Sequence, residues 1–432
     1  MAPGFLLAQK GSEGGTPEQE SFDVDGIKVI LSPADNEIVS IIVGLEGGFA
    51  DGMTNNPALA EFTAGLIASS GSEEVSKNEL RSFLSKSSTR LDGGADKLGM
   101  RFAMTSTRAR FDEAWGVLSS MMRSPLVDNV EFRNRLQRSV ANVKQTWSDP
   151  DSYSFRIADS LLRIGNPVMA RYPYEADYQA ITPDAISLFY KGMQERSRLL
   201  VIVVGNVTRE EITGKLKDFS SWPKGDYSPT KIPSLVSSTK PTVTVLDWPA
   251  SPTTYVYAAF QGPNWTDEGS WPLAVGMSYL RTELFKEIRT KRNLSYAPSA
   301  FSTSSHGRGM AMLGVSTVWP DSSIKIMYAE LEKMKKGDFS EKDLEDAKQV
   351  YITHYYMQEM TNAAKANRFY YNERYAGDWR RADSFDDIRS VNKDDVVDAF
   401  QQYAKNLQVG IVGNAASVTQ SAFMYSDGVS AK

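Results

Sequence analysis

The segment RLLVIVVGNVTREEI (residues 198–212) is the strongest structural signal in the chain, because LQVGIVGNAASV (407–418) repeats its beginning about 210 residues later. The first segment is typical of a buried strand, a Gly-Asn turn and the start of a helix, and the second repeats the strand and the turn. An N-capped helix with apolar residues at helical spacing precedes each segment, over 181–193 and 391–404. Two features that recur at one offset indicate an internal duplication.

Each half of the chain combines strands with amphipathic helices. Two alternating strand pairs, at 26–45 and 242–260, open the halves, and further strands follow at 96–106 and 309–318. Both of these later strands lead into an amphipathic helix. We therefore expect an α+β protein with two similar domains, each an antiparallel sheet packed with helices.

Composition divides the chain near its midpoint. Residues 220–241 contain four prolines and six serines with few large apolar residues, which is typical of a linker. We predict one domain over 21–219 and a second over 242–425. Residues 1–20 are polar and Gly-rich after a very short apolar patch, so we expect a mobile tail there.

The overall composition excludes several functional classes. The chain has 432 residues, a net charge of −5 and no long basic run, so we expect no nucleic-acid binding. It has no run of about 18 apolar residues and therefore no predicted transmembrane segment. It has no cysteine, which excludes disulfides and thiolate metal sites. We expect a location in the bacterial periplasm, with the cytoplasm as the alternative.

Histidine is scarce, and this limits metal chemistry. The chain has only His306, in the loop-like SSHGRG, and His354, in a helical run. Zinc enzymes without cysteine ligands usually need two or three histidines. We therefore expect both histidines to be ordinary surface or packing residues.

The segment LAEFTAGL (59–66) is predicted to be a short helix of apolar and small residues with a single carboxylate, Glu61. A lone acid in this setting fits a catalytic group, a metal ligand or an exposed position on a core helix. The sequence of the segment alone does not distinguish among these three interpretations.

The two similar halves, the strand and turn at 198–212, and ELFKEIRTKRNLSYAPSAF (283–301) together resemble one family, the insulinase/pitrilysin-like zinc metallopeptidases, or inverzincins. The resemblance covers nearly the whole chain. It is strongest to the branch with paired half-length subunits, which includes the processing peptidases. It implies that this chain forms half of a clamshell.

Active members of that family carry His-x-x-Glu-His on a helix, where the histidines hold zinc and the glutamate activates the bound water. The resemblance places Glu61 at the first histidine, Ala64 at the glutamate and Gly65 at the second histidine. Where the third ligand, a glutamate, is expected, this chain offers Asn142 and Lys144. No histidine precedes residue 306, so no shift of register restores the motif. The resemblance thus implies a degenerate zinc site, with no metal or other cofactor in this chain.

Unlike the zinc motif, a second part of the family's catalytic machinery has matching residues in this chain. Active members place an arginine and a tyrosine, seven residues apart, opposite the metal, where they bind the substrate backbone and stabilise the oxyanion. Arg289 and Tyr296 have that spacing. Seven residues are two turns of a helix, so we expect both side chains on one helix face. Without the resemblance, Arg289 would be one of several cations on a solvated helix and Tyr296 a packing residue.

The resemblance implies that the chain is the non-zinc-binding subunit of a heterodimeric zinc endopeptidase and is not a peptidase on its own. A zinc-bearing homologous half-length subunit would be its partner and a peptide its substrate. Residues 96–104 are a further candidate peptide contact, by β-augmentation. The alternatives are an inactive structural or peptide-binding subunit, like the core proteins of respiratory complexes, and a peptide-binding homodimer.

Overall fold

A computed structural model describes the chain over residues 19–229, 238–264, 266–305, 308–358, 360–380 and 385–425. The described residues form two β-sheets, each covered by helices on both faces. None of the helices within these ranges combines the length and the apolar character needed to cross a membrane.

The first sheet has six strands in the order β1-β2-β6-β3-β5-β4. Its strands are β1 (Glu20–Val24), β2 (Ile27–Pro33), β3 (Ile38–Glu46), β4 (Arg90–Asp96), β5 (Gly99–Thr107) and β6 (Leu199–Gly205). Neighbouring strands are antiparallel except β2 and β6, which run parallel.

The second sheet has five strands in the order β7-β11-β8-β10-β9. Its strands are β7 (Thr242–Asp247), β8 (Thr254–Gln261), β9 (Ser299–Ser305), β10 (Arg308–Thr317) and β11 (Gln408–Gly413). Only β7 and β11 run parallel. Apart from the additional β1, the two sheets share one topology, as the predicted duplication requires. The predicted α+β class is confirmed, with one parallel pair in each otherwise antiparallel sheet.

Helices connect the strands in both halves. The first half contains α1 (Leu59–Ser70), α2 (Lys77–Ser87), α3 (Phe111–Arg123), α4 (Asn129–Ser148), α5 (Pro150–Leu162), α6 (Pro167–Ala170), α7 (Glu175–Gln179), α8 (Pro183–Met193) and α9 (Arg209–Leu216). The second half contains α10 (Ser270–Leu284), α11 (Pro320–Lys336), α12 (Glu341–Gln358), α13 (Asn362–Ala376), α14 (Phe385–Ser390) and α15 (Lys393–Tyr403). The side chains of Thr182 and Asn392 cap α8 and α15, the two helices predicted from the repeated pattern.

The predicted tail and linker lie partly outside the described residues. The structure describes the chain from residue 19, and Glu20 already begins β1. Within the predicted linker 220–241, residues 230–237 are outside the described ranges. The part before them packs on the first half, where Trp222 is buried and the Tyr227 hydroxyl donates to Asp51 (2.7 Å).

The central strands of each sheet are buried on both faces, and β6 shows how the sequence permits this. Residues 199, 201 and 203 of β6 join the core beneath the first half's own helices, whereas residues 200, 202 and 204 join a separate apolar cluster on the opposite face. Alternate residues of a strand point to opposite faces, so a strand buried on both sides is a continuous apolar run.

The helix that covers this opposite face comes from the other half of the chain. Helix α13, from the second half, packs on β3 and β6 of the first sheet. Helix α5, from the first half, packs on β11 and β8 of the second sheet. Each half therefore completes the hydrophobic core of the other.

Small residues allow these exchanged helices to approach the sheets closely. A Cβ at Gly410 would collide with the Ser154 carbonyl oxygen and lie 2.8 Å from the Ala158 nitrogen. The Ser154 hydroxyl donates to the Gly410 carbonyl (2.9 Å). On the first sheet, a Cβ at Gly44 would collide with the Tyr370 ring of α13. Glycine is therefore required at both contacts.

A buried ion-pair network joins α13 to the first sheet. The guanidinium of Arg374, whose side chain is 4% exposed, pairs with Glu46 (3.0 Å) and Asp96 (3.1 Å). It also donates to the Tyr370 hydroxyl (3.0 Å), while the Tyr375 hydroxyl donates to Asp96 (2.9 Å). Burial raises the pKa of Glu46, and the charge of Arg374 opposes that rise. The charge of Arg374 therefore helps to compensate both carboxylates.

Arg374→Met is expected to lower the free energy of unfolding by about 3–5 kcal/mol, because it leaves the largely buried Glu46 carboxylate without its counter-charge. The matched control is Arg110→Met, which removes an exposed pair with Glu113 (2.8 Å) and should change stability by less than about 1 kcal/mol. Urea unfolding of both variants measures the difference. Equal effects would show that the network does not hold the halves together.

Gly410→Ala is expected to lower the free energy of unfolding by about 1–3 kcal/mol, since the added methyl group meets the backbone of α5. Gly116→Ala is the control, because a Cβ there has no neighbour within 4 Å and alanine favours the helix by up to about 1 kcal/mol. Thermal or urea unfolding compares the two variants. A stable Gly410→Ala variant would contradict the close packing of α5 on β11.

Candidate functional site

The segment LAEFTAGL forms the beginning of α1, as predicted. The Glu61 side chain is 47% exposed, and its Oε2 accepts a hydrogen bond from the Ala95 backbone N–H (2.7 Å) in β4. Because β4 is an edge strand, this carboxylate satisfies a donor that has no strand partner on that side. Glu61 therefore caps the edge of the first sheet.

An arginine from another helix fills the space beside Gly65, the position predicted to correspond to the second histidine. The guanidinium of Arg135, on α4, lies so close to Gly65 that a Cβ there would collide with it. Arg135 donates to the Glu61 carbonyl (3.2 Å) and lies over the Phe62 ring, 5.6 Å from its centroid. Burial lowers the pKa of Arg135, while the Glu61 carboxylate 3.7 Å away raises it. An arginine remains charged under such conditions, so a fixed cation occupies this position.

These residues do not fit a zinc site. Ala64 is completely buried and has no group that could activate a water molecule. Asn142 and Lys144 lie exposed on α4, where Lys144 pairs with Glu175 (2.9 Å). Across the described ranges, no cluster of three or more histidine, cysteine, aspartate or glutamate residues is arranged to hold a metal. The cation of Arg135 would also repel a metal ion placed beside it.

The sequence alone does not identify Arg135 as a residue of this site. It is one of several cations on α4, and its own surroundings in the sequence do not distinguish it from the others. The useful signal was Gly65, because a glycine inside a helix often marks the close approach of another group.

The predicted pair of Arg289 and Tyr296 is brought together, but not by one helix. Helix α10 continues into a π-helical turn, Phe285–Thr290, which carries Arg289, whereas Tyr296 lies in the loop before β9. The chain reverses at Asn293, which has a φ of 52°, a conformation that asparagine adopts more readily than most residues. The predicted placement of both side chains on one helix face is therefore wrong, since the helix ends between them.

The folded-back loop places the two side chains in direct contact. The guanidinium carbon of Arg289 lies 4.6 Å from the centroid of the Tyr296 ring, a cation–π distance. Arg289 also donates to the Asn293 side-chain oxygen (3.0 Å). Tyr296 is 77% exposed. These contacts orient the guanidinium and leave the tyrosine ring open to a ligand.

An open groove runs beside this pair. Its lining residues are Arg281, Thr282, Phe285, Arg289, Tyr296, Ala297 and Pro298. The nearby carboxylates are engaged elsewhere: Glu287 pairs with Lys291 and Arg292, both at 2.5 Å. The hydrogen bonds from these two cations lower the pKa of Glu287 to about 2. The groove therefore presents positive charge and hydrogen-bond donors, which suit a carbonyl or carboxylate oxygen.

Three further predictions concern single segments. The predicted peptide contact at 96–104 spans a turn and part of β5, which is paired on both sides by β3 and β4, so it offers no free edge. His354 is exposed on α12, as expected for a surface residue. His306 lies outside the described residues.

Comparisons with known proteins agree on one family. Residues 180–351 match the model of the peptidase M16 inactive domain. A protein described as the probable inactive metalloprotease YmfF of Bacillus subtilis is 27% identical over 122 residues, which make up 28% of this chain and 28% of that protein.

Solved structures share the fold of this chain. The peptidase M16 inactive domain from Pseudomonas fluorescens matches with a TM-score of 0.82 and 16% identity, over 92% of this chain and 98% of that one. The periplasmic protease PqqL from Escherichia coli matches with a TM-score of 0.76 and 13% identity, over 96% of this chain and 48% of PqqL. This chain thus spans about half the length of PqqL. Residues 180–351 therefore resemble the inactive domain of the M16 metallopeptidases, the insulinase/pitrilysin-like family, and the chain as a whole shares the fold of solved M16 structures.

Proposed function

We propose that this chain is the non-zinc-binding subunit of a heterodimeric zinc endopeptidase, to which it supplies Arg289 and Tyr296. The observation that carries the proposal is a contrast between the two halves. In the first half, the guanidinium of Arg135 fills the space above Gly65. In the second half, Arg289 and Tyr296 are in contact and border an open groove. One half lacks the metal chemistry, while the other retains groups that can bind a peptide.

The chemistry of the Arg289 and Tyr296 side chains supports this role. Guanidinium is a permanent cation with several donors, and a phenol donates one directed hydrogen bond. Donors aimed at an oxygen on which negative charge develops lower the barrier to peptide hydrolysis. Asn293 and the tyrosine ring hold the guanidinium before substrate binds, which favours such preorganisation.

The partner in this proposal is a homologous half-length subunit with an intact His-x-x-Glu-His motif. It would contribute the zinc and the general base, because the residues around α1 of this chain do not fit a metal. The substrate is an unstructured peptide held between the two subunits. We propose the bacterial periplasm as the location, in line with the description of the relative PqqL as a periplasmic protease.

The mixed complex is the complex of this chain with its zinc-bearing partner. Arg289→Ala or Tyr296→Phe in this chain is expected to lower kcat/KM of the mixed complex by about 10²-fold or more, the typical effect of losing an oxyanion donor. Initial rates on a fluorogenic, unstructured peptide measure the effect. Lys286→Ala is the matched control, since Lys286 pairs with Glu283 (3.1 Å) on the same helical segment and does not line the groove.

Chelator-sensitive hydrolysis by this chain alone would contradict the proposal. Mixed-complex activity that is indifferent to both substitutions would also contradict it, and would favour the purely structural subunit. A mixed complex with no peptidase activity at all would likewise contradict the proposal and favour the purely structural subunit.

Gly65→Ala is expected to lower the free energy of unfolding by about 1 kcal/mol, because the methyl group displaces the Arg135 guanidinium from the Glu61 carbonyl and the Phe62 ring. In an Arg135→Ala background the same change should be neutral, or stabilising by up to about 1 kcal/mol, since alanine favours a helix over glycine. Urea unfolding of the two single variants and the double variant completes a double-mutant cycle. Additive effects would show that Arg135 does not fill the position above Gly65.

A further inference from the structure

The wall of the groove contains a second arginine that the family pattern does not require. Arg281, Phe285 and Arg289 are spaced by four residues along α10 and the π-helical turn, and all three line the groove. Residues four apart lie on neighbouring positions of one helix face. The exposed ring of Phe285 therefore lies between two guanidinium groups.

Among the residues that the structure describes, Arg281 and Arg289 differ from the other cations of this segment in having no carboxylate partner. Lys286 pairs with Glu283, and both Lys291 and Arg292 pair with Glu287. Neither groove arginine forms an ion pair with any carboxylate of the described ranges. Two guanidinium groups beside an apolar ring are complementary to a carboxylate next to an apolar side chain.

We propose that Arg281 is a specificity-determining residue that selects peptides with an acidic side chain. This inference rests on the proposed function, because it names the class of peptide that the Arg289 and Tyr296 groove accepts. The acidic side chain contacts Arg281, an apolar side chain packs on Phe285, and Arg289 and Tyr296 remain available for the peptide backbone.

The spacing along the helix indicates where the acidic residue lies in the peptide. Eight residues of helix separate Arg281 from Arg289, which is roughly 12 Å at 1.5 Å per residue. An extended peptide covers that distance in about three to four residues. Phe285 is half as far from Arg281, so the apolar and acidic residues should lie about two positions apart, on the same side of the extended chain.

The test uses direct binding to the isolated full-length chain, without a partner. The probe is a fluorescein-labelled 12-residue peptide of Ser, Gly and Ala with a central Phe-Ser-Glu, and fluorescence anisotropy measures its Kd. Matched peptides replace the Glu by Gln or by Lys. The Glu peptide is expected to bind about tenfold more tightly than the Gln peptide, and the Lys peptide more weakly than either.

Arg281→Gln is expected to reduce the preference for Glu over Gln to less than about twofold, because the guanidinium that forms the charged hydrogen bond is lost. Lys286→Gln removes one positive charge from the same segment outside the groove and should retain the preference. Circular dichroism checks that both variants are folded.

Three results would overturn the inference: no measurable binding of the Glu peptide, equal binding of the Glu and Gln peptides, or a preference that survives Arg281→Gln. Displacement of the Glu peptide by an equal concentration of a single-stranded oligonucleotide would also overturn it, in favour of a nucleic-acid site. A different measurement, the peptidase activity of the mixed complex, tests the proposed function. A selective binder without such activity would retain this inference and reject the heterodimeric peptidase.

Discussion

The exchange of helices between the two halves constrains the rest of the structure. Each sheet buries both faces only because a helix of the other half covers the second one. Arg374 stabilises the packing of α13 on the first sheet by pairing with Glu46 and Asp96, at the ends of β3 and β4. Such a buried network is costly to break because each remaining charge would lose its partner. The two halves therefore form one cooperative body, and the surfaces that carry α1 and Arg289 are held in place by shared packing.

Two arginines have opposite roles in this body. Arg135 is inserted against α1, where its guanidinium takes up the space above Gly65 and hydrogen-bonds to the backbone of Glu61. Arg289 is held by Asn293 and Tyr296 at the border of a groove whose nearby carboxylates are already paired. A guanidinium that is packed into the protein stabilises it, whereas one that borders an open groove remains available to a ligand.

Local patterns predicted much of this structure. The apolar runs of β6 and β11, the capped helices α8 and α15, and the helix that contains Glu61 were all evident from the sequence. The exchange of α5 and α13 was not, because the contact of Ser154 with Gly410 joins residues far apart in the chain and has no local signature. Arg135 is indistinguishable from neighbouring cations in the sequence. Tyr296 leaves the helix because the chain reverses at Asn293, which a seven-residue spacing does not reveal.

In the proposed complex, this chain contributes binding groups and no metal of its own. Equilibrium dialysis of the isolated chain against zinc, followed by metal analysis, tests it most directly. We expect no stoichiometric zinc, because a guanidinium fills the space above Gly65 and α1 contains no histidine. One tightly bound zinc per chain, removed by a chelator together with peptidase activity, would contradict it.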